Sequence, residues 1–146
     1  MSEWQPKIMV FLCQWSLKSD RDWEQRSALP PGVRMVEVPC SGRVNPLLLM
    51  SALQYGADGI LVVGCEPGHC HYKEGNYLGR RKFATLRSFL EYLGLEEQRF
   101  QVAWLRETDR AKLKYLVENL RDTVQALGPA RALAQRGPIP CGISSQ

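Results

Sequence analysis

The sequence predicts an α/β protein in which helices cover both faces of a four-stranded parallel sheet. Short apolar or alternating segments, which are typical of strands, alternate along the chain with longer segments whose apolar residues recur at helical spacing. Glycine and proline separate these segments at several points. Strands that alternate with helices form parallel β-α-β units with right-handed crossovers, so three layers are expected.

The N-terminal part of the chain contains the first two predicted strands. Residues 7–12 form a short, mostly apolar run that ends at Cys13, as expected for a strand buried on both faces. The polar segment 14–29 is predicted to contain the start of a helix, and Pro30-Pro31-Gly32 is a break. Residues 33–38 then mix apolar and polar side chains in the alternating pattern of a second strand.

A helix is predicted over residues 47–55, after the second strand. Asn45 can cap its start by accepting a hydrogen bond from the first turn. Pro46 suits the first helical position, because an amide hydrogen is not needed there. Gly56 is the expected left-handed residue at the end of the helix.

The remaining elements continue the alternation of strands and helices. They are a third strand over residues 60–63, a helix over 77–93 ended by Gly94, a fourth strand over 100–105 and a final helix over 109–127. Four parallel strands connected in this way predict a doubly wound, three-layer sandwich of flavodoxin-like type. One domain is expected over residues 1–128, followed by an extended tail, residues 129–146, that is either mobile or docks on a partner.

Composition argues against several functional classes. The chain has 146 residues, 45% of them hydrophobic and 23% charged, which is typical of a globular domain rather than a disordered chain. A net charge of +4 without blocks of basic residues argues against binding to nucleic acid. No apolar run reaches about 18 residues, so no membrane span is expected. The N-terminus has no signal-peptide pattern, which predicts a cytoplasmic location.

The cysteines are the main indication of function. The chain has 5 cysteines, and in a cytoplasmic protein these indicate metal binding or redox chemistry rather than disulfides. Cys13, Cys40 and Cys65 each follow a predicted strand, and Cys70 lies in the loop after Cys65. Because the carboxyl ends of parallel strands meet at one edge of a sheet, four thiolates are expected to converge there. Cys141, beyond the last helix, is not expected to take part.

Four converging thiolates suit zinc or an iron–sulfur cluster. Structural zinc sites usually contain paired C-x2-C motifs, which this sequence lacks, so a [2Fe–2S] cluster is favoured, with [4Fe–4S] second. The motifs of nucleotide-binding, hydrolytic and metalloprotease sites are absent, and no catalytic residue is predicted. Three functions stay open at this point: a protein that transfers electrons, a zinc-stabilised interaction module and a cysteine-based redox sensor.

Four other side chains are candidates for a place around the cluster. His69 and His71 flank Cys70 and are predicted to form hydrogen bonds near the cluster or to the loop backbone, rather than to bind iron. Trp15 either shields the cluster from solvent or belongs to the core. Arg43 either offsets the negative charge of the cluster or pairs with a carboxylate.

Four blocks of the sequence carry a resemblance to a known family. They are F-L-C-Q-W at residues 11–15, P-C-S-G-R-V at 39–44, G-A-D-G-I-L-V-V-G-C at 56–65 and G-H-C-H-Y-K-E-G-N at 68–76. The blocks closely resemble the delta-subunit family of methyl-viologen-reducing hydrogenase, and the resemblance extends over about residues 6–127.

This resemblance implies a flavodoxin-like, non-catalytic subunit that holds a [2Fe–2S] cluster through Cys13, Cys40, Cys65 and Cys70. Such a subunit is expected to pass electrons between a hydrogenase, or another dehydrogenase or reductase module, and the flavin-containing A-type subunit of a heterodisulfide-reductase-type complex. The resemblance also implies an anaerobic cytoplasm as the setting, and complexes of this type often bifurcate electrons.

Overall fold

Four parallel strands and three helices form the framework of the described part of the chain. The computed structural model describes residues 4–13, 29–65, 74–106 and 110–131. Its strands are β1 (Ile8–Cys13), β2 (Val33–Val38), β3 (Gly59–Cys65) and β4 (Phe100–Leu105). Its helices are α1 (Pro46–Gln54), α2 (Gly75–Tyr92) and α3 (Arg110–Leu127), and short 3-10 turns lie at Ser41–Arg43 and Glu97–Arg99.

The sheet has the strand order β2-β1-β3-β4, and every neighbouring pair is parallel. Ile8 of β1 lies opposite Val33 of β2 on one side and Gly59 of β3 on the other. This is the flavodoxin-like order, in which the direction of winding reverses between β1 and β3. The predicted fold class is therefore confirmed. Ligands of such sheets bind at this reversal, outside the carboxyl ends of the strands. We call the end of the sheet at which the strands finish the carboxyl edge.

The central strands β1 and β3 alternate their side chains between two apolar layers. Phe11 and Val62 belong to the layer that packs against α1 and α2. Val10 and Leu61 belong to the layer that packs against α3. Because both layers close over the central strands, β3 is buried along its whole length. This explains why its sequence is a continuous apolar run rather than an alternating one.

Helix α1 covers Pro46–Gln54, one residue earlier than predicted at both ends, and it has the cap residues that its sequence predicts. Asn45 Oδ1 accepts a hydrogen bond from the Leu47 amide at 2.9 Å, so Asn45 is the N-cap. Gly56 has a φ angle of +113°, a conformation that side-chain-bearing residues rarely adopt. The amide of Ala57 donates to the carbonyl of Ala52 at 2.9 Å, which closes the end of the helix in a Schellman motif.

The limits of the other elements differ little from prediction. The second and fourth strands have the predicted limits, whereas β3 continues to Cys65 and α2 begins at Gly75, two residues before the predicted start. The apolar pattern shows only where apolar residues begin, so it did not detect the first turn of α2. The helix predicted within residues 14–29 and the tail beyond residue 131 lie outside the described residues, so the domain boundary stays a prediction. None of the described helices is both long and apolar enough to cross a membrane.

A buried arginine holds together the opposite end of the sheet, where the strands begin. We call this end the amino edge. Arg99 stands directly before β4 and is fully buried. Its guanidinium donates hydrogen bonds to the backbone carbonyls of Asp58 at 3.0 Å and Gly128 at 2.6 Å, and to Glu96 Oε2 at 2.7 Å. One side chain therefore connects the start of β3, the start of β4 and the end of α3.

The carboxylate of Asp58 completes this network. Its Oδ2 accepts a hydrogen bond from the Lys7 amide at 2.9 Å, and its Oδ1 accepts one from the Ala130 amide at 3.0 Å. The residues that follow α3 are thus tied back to the amino edge. The sequence indicated no structural role for Arg99 or Asp58.

Candidate metal centre

Cys13 and Cys65 meet at the carboxyl edge, between the two central strands. Cys13 is the last residue of β1 and Cys65 is the last residue of β3, and both are buried. Alternation along the strands assigns the two residues to opposite faces of the sheet. At the strand ends, however, their Sγ atoms lie 3.6 Å apart. The fold therefore brings together two thiols that are 52 residues apart in the sequence.

The distance between these sulfur atoms is informative about what they can bind. Two thiolates on one tetrahedral metal ion, each about 2.3 Å from the metal, lie about 3.8 Å apart. Cys13 and Cys65 are also both buried, with 2% and 3% of their area exposed. The Cys13–Cys65 pair therefore fits two ligand positions of a thiolate-bound metal centre.

Cys40 lies next to this pair, in the turn that follows β2. The carbonyl of Pro39 is 3.8 Å from Cys13 Sγ, so the chain just before Cys40 contacts the pair. Cys40 is buried, and its Sγ accepts a hydrogen bond from the Gly42 amide at 3.4 Å. A backbone amide aimed at a sulfur atom stabilises the thiolate form. All three described cysteines that were predicted to be ligands are therefore at the carboxyl edge.

The remaining predicted site residues are only partly described. Arg43 is exposed at the end of the Ser41–Arg43 turn. Cys70, His69, His71 and Trp15 lie outside the described residues, so their places at the site stay predictions, as does the exclusion of Cys141. Within the described residues, no group of three or more cysteine, histidine or acidic side chains is placed to hold a metal ion.

The turn after Cys40 packs so closely against its neighbours that two glycines are required. A Cβ atom on Gly42 would collide with the backbone carbonyl of Gly75, at the start of α2. A Cβ atom on Gly64 would lie 2.5 Å from a ring atom of Trp104 and 2.9 Å from Ser41 Oγ. Real Cβ atoms do not make such contacts. The Ser41–Arg43 turn therefore packs tightly between the end of β3 and the start of helix α2.

Two hydrogen bonds strengthen this arrangement. The Lys82 ammonium donates to the Gly42 carbonyl at 2.8 Å, and the buried Asn76 amide donates to the Cys65 carbonyl at 3.1 Å. Both donors are in α2, so this helix holds the backbone at Cys65 and at the turn that follows Cys40. Sequence reasoning missed both contacts. For Asn76 the available signal was a polar residue in the first turn of a helix that follows the cysteine-rich loop. Lys82 lies further along the helix, and its sequence position gave no such signal.

The fold and the site together define a class of protein. It is a small flavodoxin-like domain with buried thiols at the carboxyl edge of its central strands. The family model described as methyl-viologen-reducing hydrogenase, delta subunit, matches residues 8–128. The chain belongs to this family, and the resemblance drawn from its sequence blocks is confirmed.

Curated relatives agree with this assignment. The chain is 40% identical to the iron-sulfur D subunit of F420-non-reducing hydrogenase from Archaeoglobus profundus, over 87% of this chain and 94% of the relative. It is 35% identical to the iron-sulfur D subunit of the vhc F420-non-reducing hydrogenase from Methanococcus voltae, over 93% of this chain and 96% of the relative. It is 29% identical to the A-type subunit of Ferredoxin:CoB-CoM heterodisulfide reductase from Methanosarcina mazei, over 94% of this chain but only 18% of that longer protein.

Proposed function

We propose that this protein is an electron-transfer subunit that holds a [2Fe–2S] cluster through Cys13, Cys40, Cys65 and Cys70. The observation that carries the proposal is the 3.6 Å distance between Cys13 Sγ and Cys65 Sγ at the carboxyl edge. Relatives that span nearly the whole chain are named iron-sulfur subunits, which supports iron rather than zinc. Cysteine thiolates are the usual ligands of such clusters.

The residues around the thiols have defined tasks in this proposal. A bound cluster would accept and release one electron at a time. Burial of Cys13, Cys40 and Cys65 keeps water from the sulfur atoms. The Gly42 amide, which points at Cys40 Sγ, favours the more negatively charged, reduced state and so raises the reduction potential. No described side chain is assigned an acid, base or nucleophile role, so the proposed function is non-catalytic.

The proposed partner on one side is an A-type, flavin-containing subunit of a heterodisulfide-reductase-type complex. In the Methanosarcina mazei relative, the region that matches this chain is part of one polypeptide, which is named as the A-type subunit of a heterodisulfide reductase. A domain that is joined to a protein in one organism often binds that protein as a separate chain in another. The proposed partner on the other side is a hydrogenase or another dehydrogenase or reductase module, in line with the relatives named as hydrogenase subunits.

The surface beside the carboxyl edge is suited to such docking. Leu47 and Leu78 expose 66% and 51% of their area, in the first turns of α1 and α2. Both turns start beside the Ser41–Arg43 turn, since Asn45 follows that turn and Gly75 touches Gly42. We assign this surface to the A-type subunit. Contact there would bring a partner cofactor close to the cysteines.

A spectroscopic and analytical experiment tests the cluster. Protein purified without oxygen is expected to be coloured, to contain about two iron and two sulfide ions per chain, and to give an EPR signal after reduction. A colourless, iron-free protein with one zinc ion would overturn the proposal in favour of the zinc-stabilised module. A metal-free protein whose thiols form a reversible disulfide would favour the redox sensor.

Cysteine variants test the ligand set. Cys13→Ser, Cys40→Ser, Cys65→Ser and Cys70→Ala are each expected to lose the visible absorption and most of the iron. Cys141→Ala is the control and is expected to retain both. Loss of iron in the control, or full retention in any of the four, would show that the ligand set is wrong.

Binding measurements test the partner surface. Leu47→Glu and Leu78→Glu are each expected to weaken binding to the purified A-type subunit by about tenfold or more, because a charge replaces an apolar contact. Leu127→Glu is the control, since Leu127 is exposed at the end of α3, near the amino edge. Equal binding of all three variants would place the partner elsewhere.

A further inference from the structure

The hydroxyl of Ser41 is a polar group that the fold buries without a partner. Ser41 is the first residue of the turn after Cys40, and only 1% of it is exposed. Among the described residues, nothing accepts or donates a hydrogen bond at its Oγ. A buried hydroxyl without a hydrogen bond lowers the stability of the fold, because the loss of its hydration is not compensated. Alanine would avoid this cost, so serine at this position requires an explanation.

The position of the hydroxyl points to the carboxyl edge. Ser41 follows Cys40 directly in the chain, and its Oγ lies 2.9 Å from the place that a Cβ atom on Gly64 would occupy. Gly64 is the residue before Cys65. The hydroxyl therefore belongs to the residue after one proposed ligand and lies against the residue before another, where Trp104 is the other close neighbour of Gly64.

The same turn already contains one donor to sulfur, the Gly42 amide at Cys40 Sγ. A hydroxyl can donate a hydrogen bond in the same way. The acceptor atoms that a bound cluster would bring close to this turn are its sulfur atoms. Lys82 fixes the turn through the Gly42 carbonyl, and the close contact between Gly42 and Gly75 prevents the turn from shifting. The hydroxyl is thus held in place before any cluster binds.

We propose that the Ser41 hydroxyl donates a hydrogen bond to a sulfur atom of the cluster and so raises its reduction potential. Such a bond is stronger in the reduced state, because reduction adds negative charge to the cluster. Ser41 is a positioning and tuning residue and not an iron ligand. The inference rests on the proposed function, since it requires the cluster.

Redox titration followed by EPR tests this inference. Ser41→Ala is expected to bind the same amount of iron as the wild type and to be reduced only at a lower potential. Ser88→Ala is the matched control, because Ser88 Oγ bonds to the Ala84 carbonyl on the exposed side of α2. Its potential is expected to equal that of the wild type. An unchanged potential in Ser41→Ala with full iron content would overturn this inference and leave the proposed function intact.

A second measurement detects the hydrogen bond itself. Electron–nuclear double resonance of the reduced protein is expected to show a coupled proton that exchanges in deuterated water and is lost in Ser41→Ala. Ser41→Thr retains a hydroxyl and is expected to keep this proton. The same exchangeable signals in wild type and Ser41→Ala would overturn the inference. A wild-type protein without iron would overturn the proposed function and this inference together.

Discussion

The two edges of the sheet bury polar groups in different ways. At the amino edge, Arg99 donates three hydrogen bonds and the Asp58 carboxylate accepts two, so charge is buried with close partners. At the carboxyl edge, the buried polar atoms of the turn and strand ends are soft thiols and the Ser41 hydroxyl. A satisfied polar network rigidifies a fold, whereas thiols held at a fixed spacing are suited to bind metal. One edge therefore stabilises the domain and the other is available for chemistry.

The largest expected effect comes from breaking the amino edge. Arg99→Met removes all three hydrogen bonds and leaves the Asp58 and Gly128 carbonyls without this donor. We expect the free energy of unfolding to fall by about 3–5 kcal/mol, because one partner of a buried network is lost. Urea unfolding monitored by circular dichroism would measure this. Arg81→Met, on the exposed side of α2, is the control and should change stability by less than about 0.5 kcal/mol.

The same variant separates the tasks of the two edges. A strand of 7 residues, the length of β3, places the two edges about 20 Å apart. Arg99→Met protein that remains folded should therefore keep the iron content and EPR signal of the wild type. A changed EPR signal at normal stability would show that the two edges are not independent.

The next effect concerns the close packing at the carboxyl edge. Gly64→Ala places a methyl group against the Trp104 ring and the Ser41 hydroxyl. We expect a loss of about 1–3 kcal/mol from overpacking, together with a lower iron content, because Cys65 is the next residue. Addition of Trp104→Leu should restore part of the iron by making room. Full iron binding by Gly64→Ala alone would contradict the close packing described for this edge.

The fold could be predicted from sequence because its signals are local. Apolar runs mark the strands, and caps such as Asn45 and Gly56 mark helix ends within a few residues. The Arg99 network could not be predicted, since its partners Asp58 and Gly128 are 41 and 29 residues away. No local pattern encodes such contacts.

The candidate site was predictable for a different reason. Cys13 and Cys65 end parallel strands, and strand order alone brings such ends together. The support around them could not be predicted, because the Lys82 bond to Gly42 spans 40 residues and depends on how α2 packs on the turn. The sequence likewise could not show that the Ser41 hydroxyl is buried without a hydrogen bond, because this depends on the residues that surround it in the fold.

A smaller effect is expected at the start of α1, on the carboxyl edge. Asn45→Ala removes the side-chain oxygen that accepts from the Leu47 amide. We expect a loss of about 1 kcal/mol in thermal or urea unfolding, the usual effect of losing an N-cap. Asn45→Asp keeps an acceptor and should retain most of the stability. Iron content should not change in either variant, because helix α1 supplies no cysteine; loss of iron would mean that the cap also positions the turn at Cys40.

The smallest effect is a pH dependence at the amino edge. The hydrogen bond from Arg99 lowers the pKa of Glu96 below its ordinary value of 4.5. A carboxyl whose pKa is lower in the folded state stabilises the fold fully above about pH 4.5, and this contribution is lost as pH falls through the folded pKa. Because 44% of the Glu96 side chain is exposed, solvent screening reduces the contribution to a few tenths of a kcal/mol.

Glu96→Gln measures that contribution directly. The variant should be slightly less stable than the wild type at pH 7, and the difference should shrink as the pH is lowered below 4.5, when the wild-type carboxyl takes up its proton. Melting temperatures of both proteins between about pH 7 and pH 3.5 would show this convergence. Glu97→Gln is the matched control, since the Glu97 side chain is 67% exposed and its ion pair with Arg87 is long, at 3.8 Å. A constant difference across the pH range would mean that Glu96 stabilises the amino edge through packing and not through its charge on Arg99.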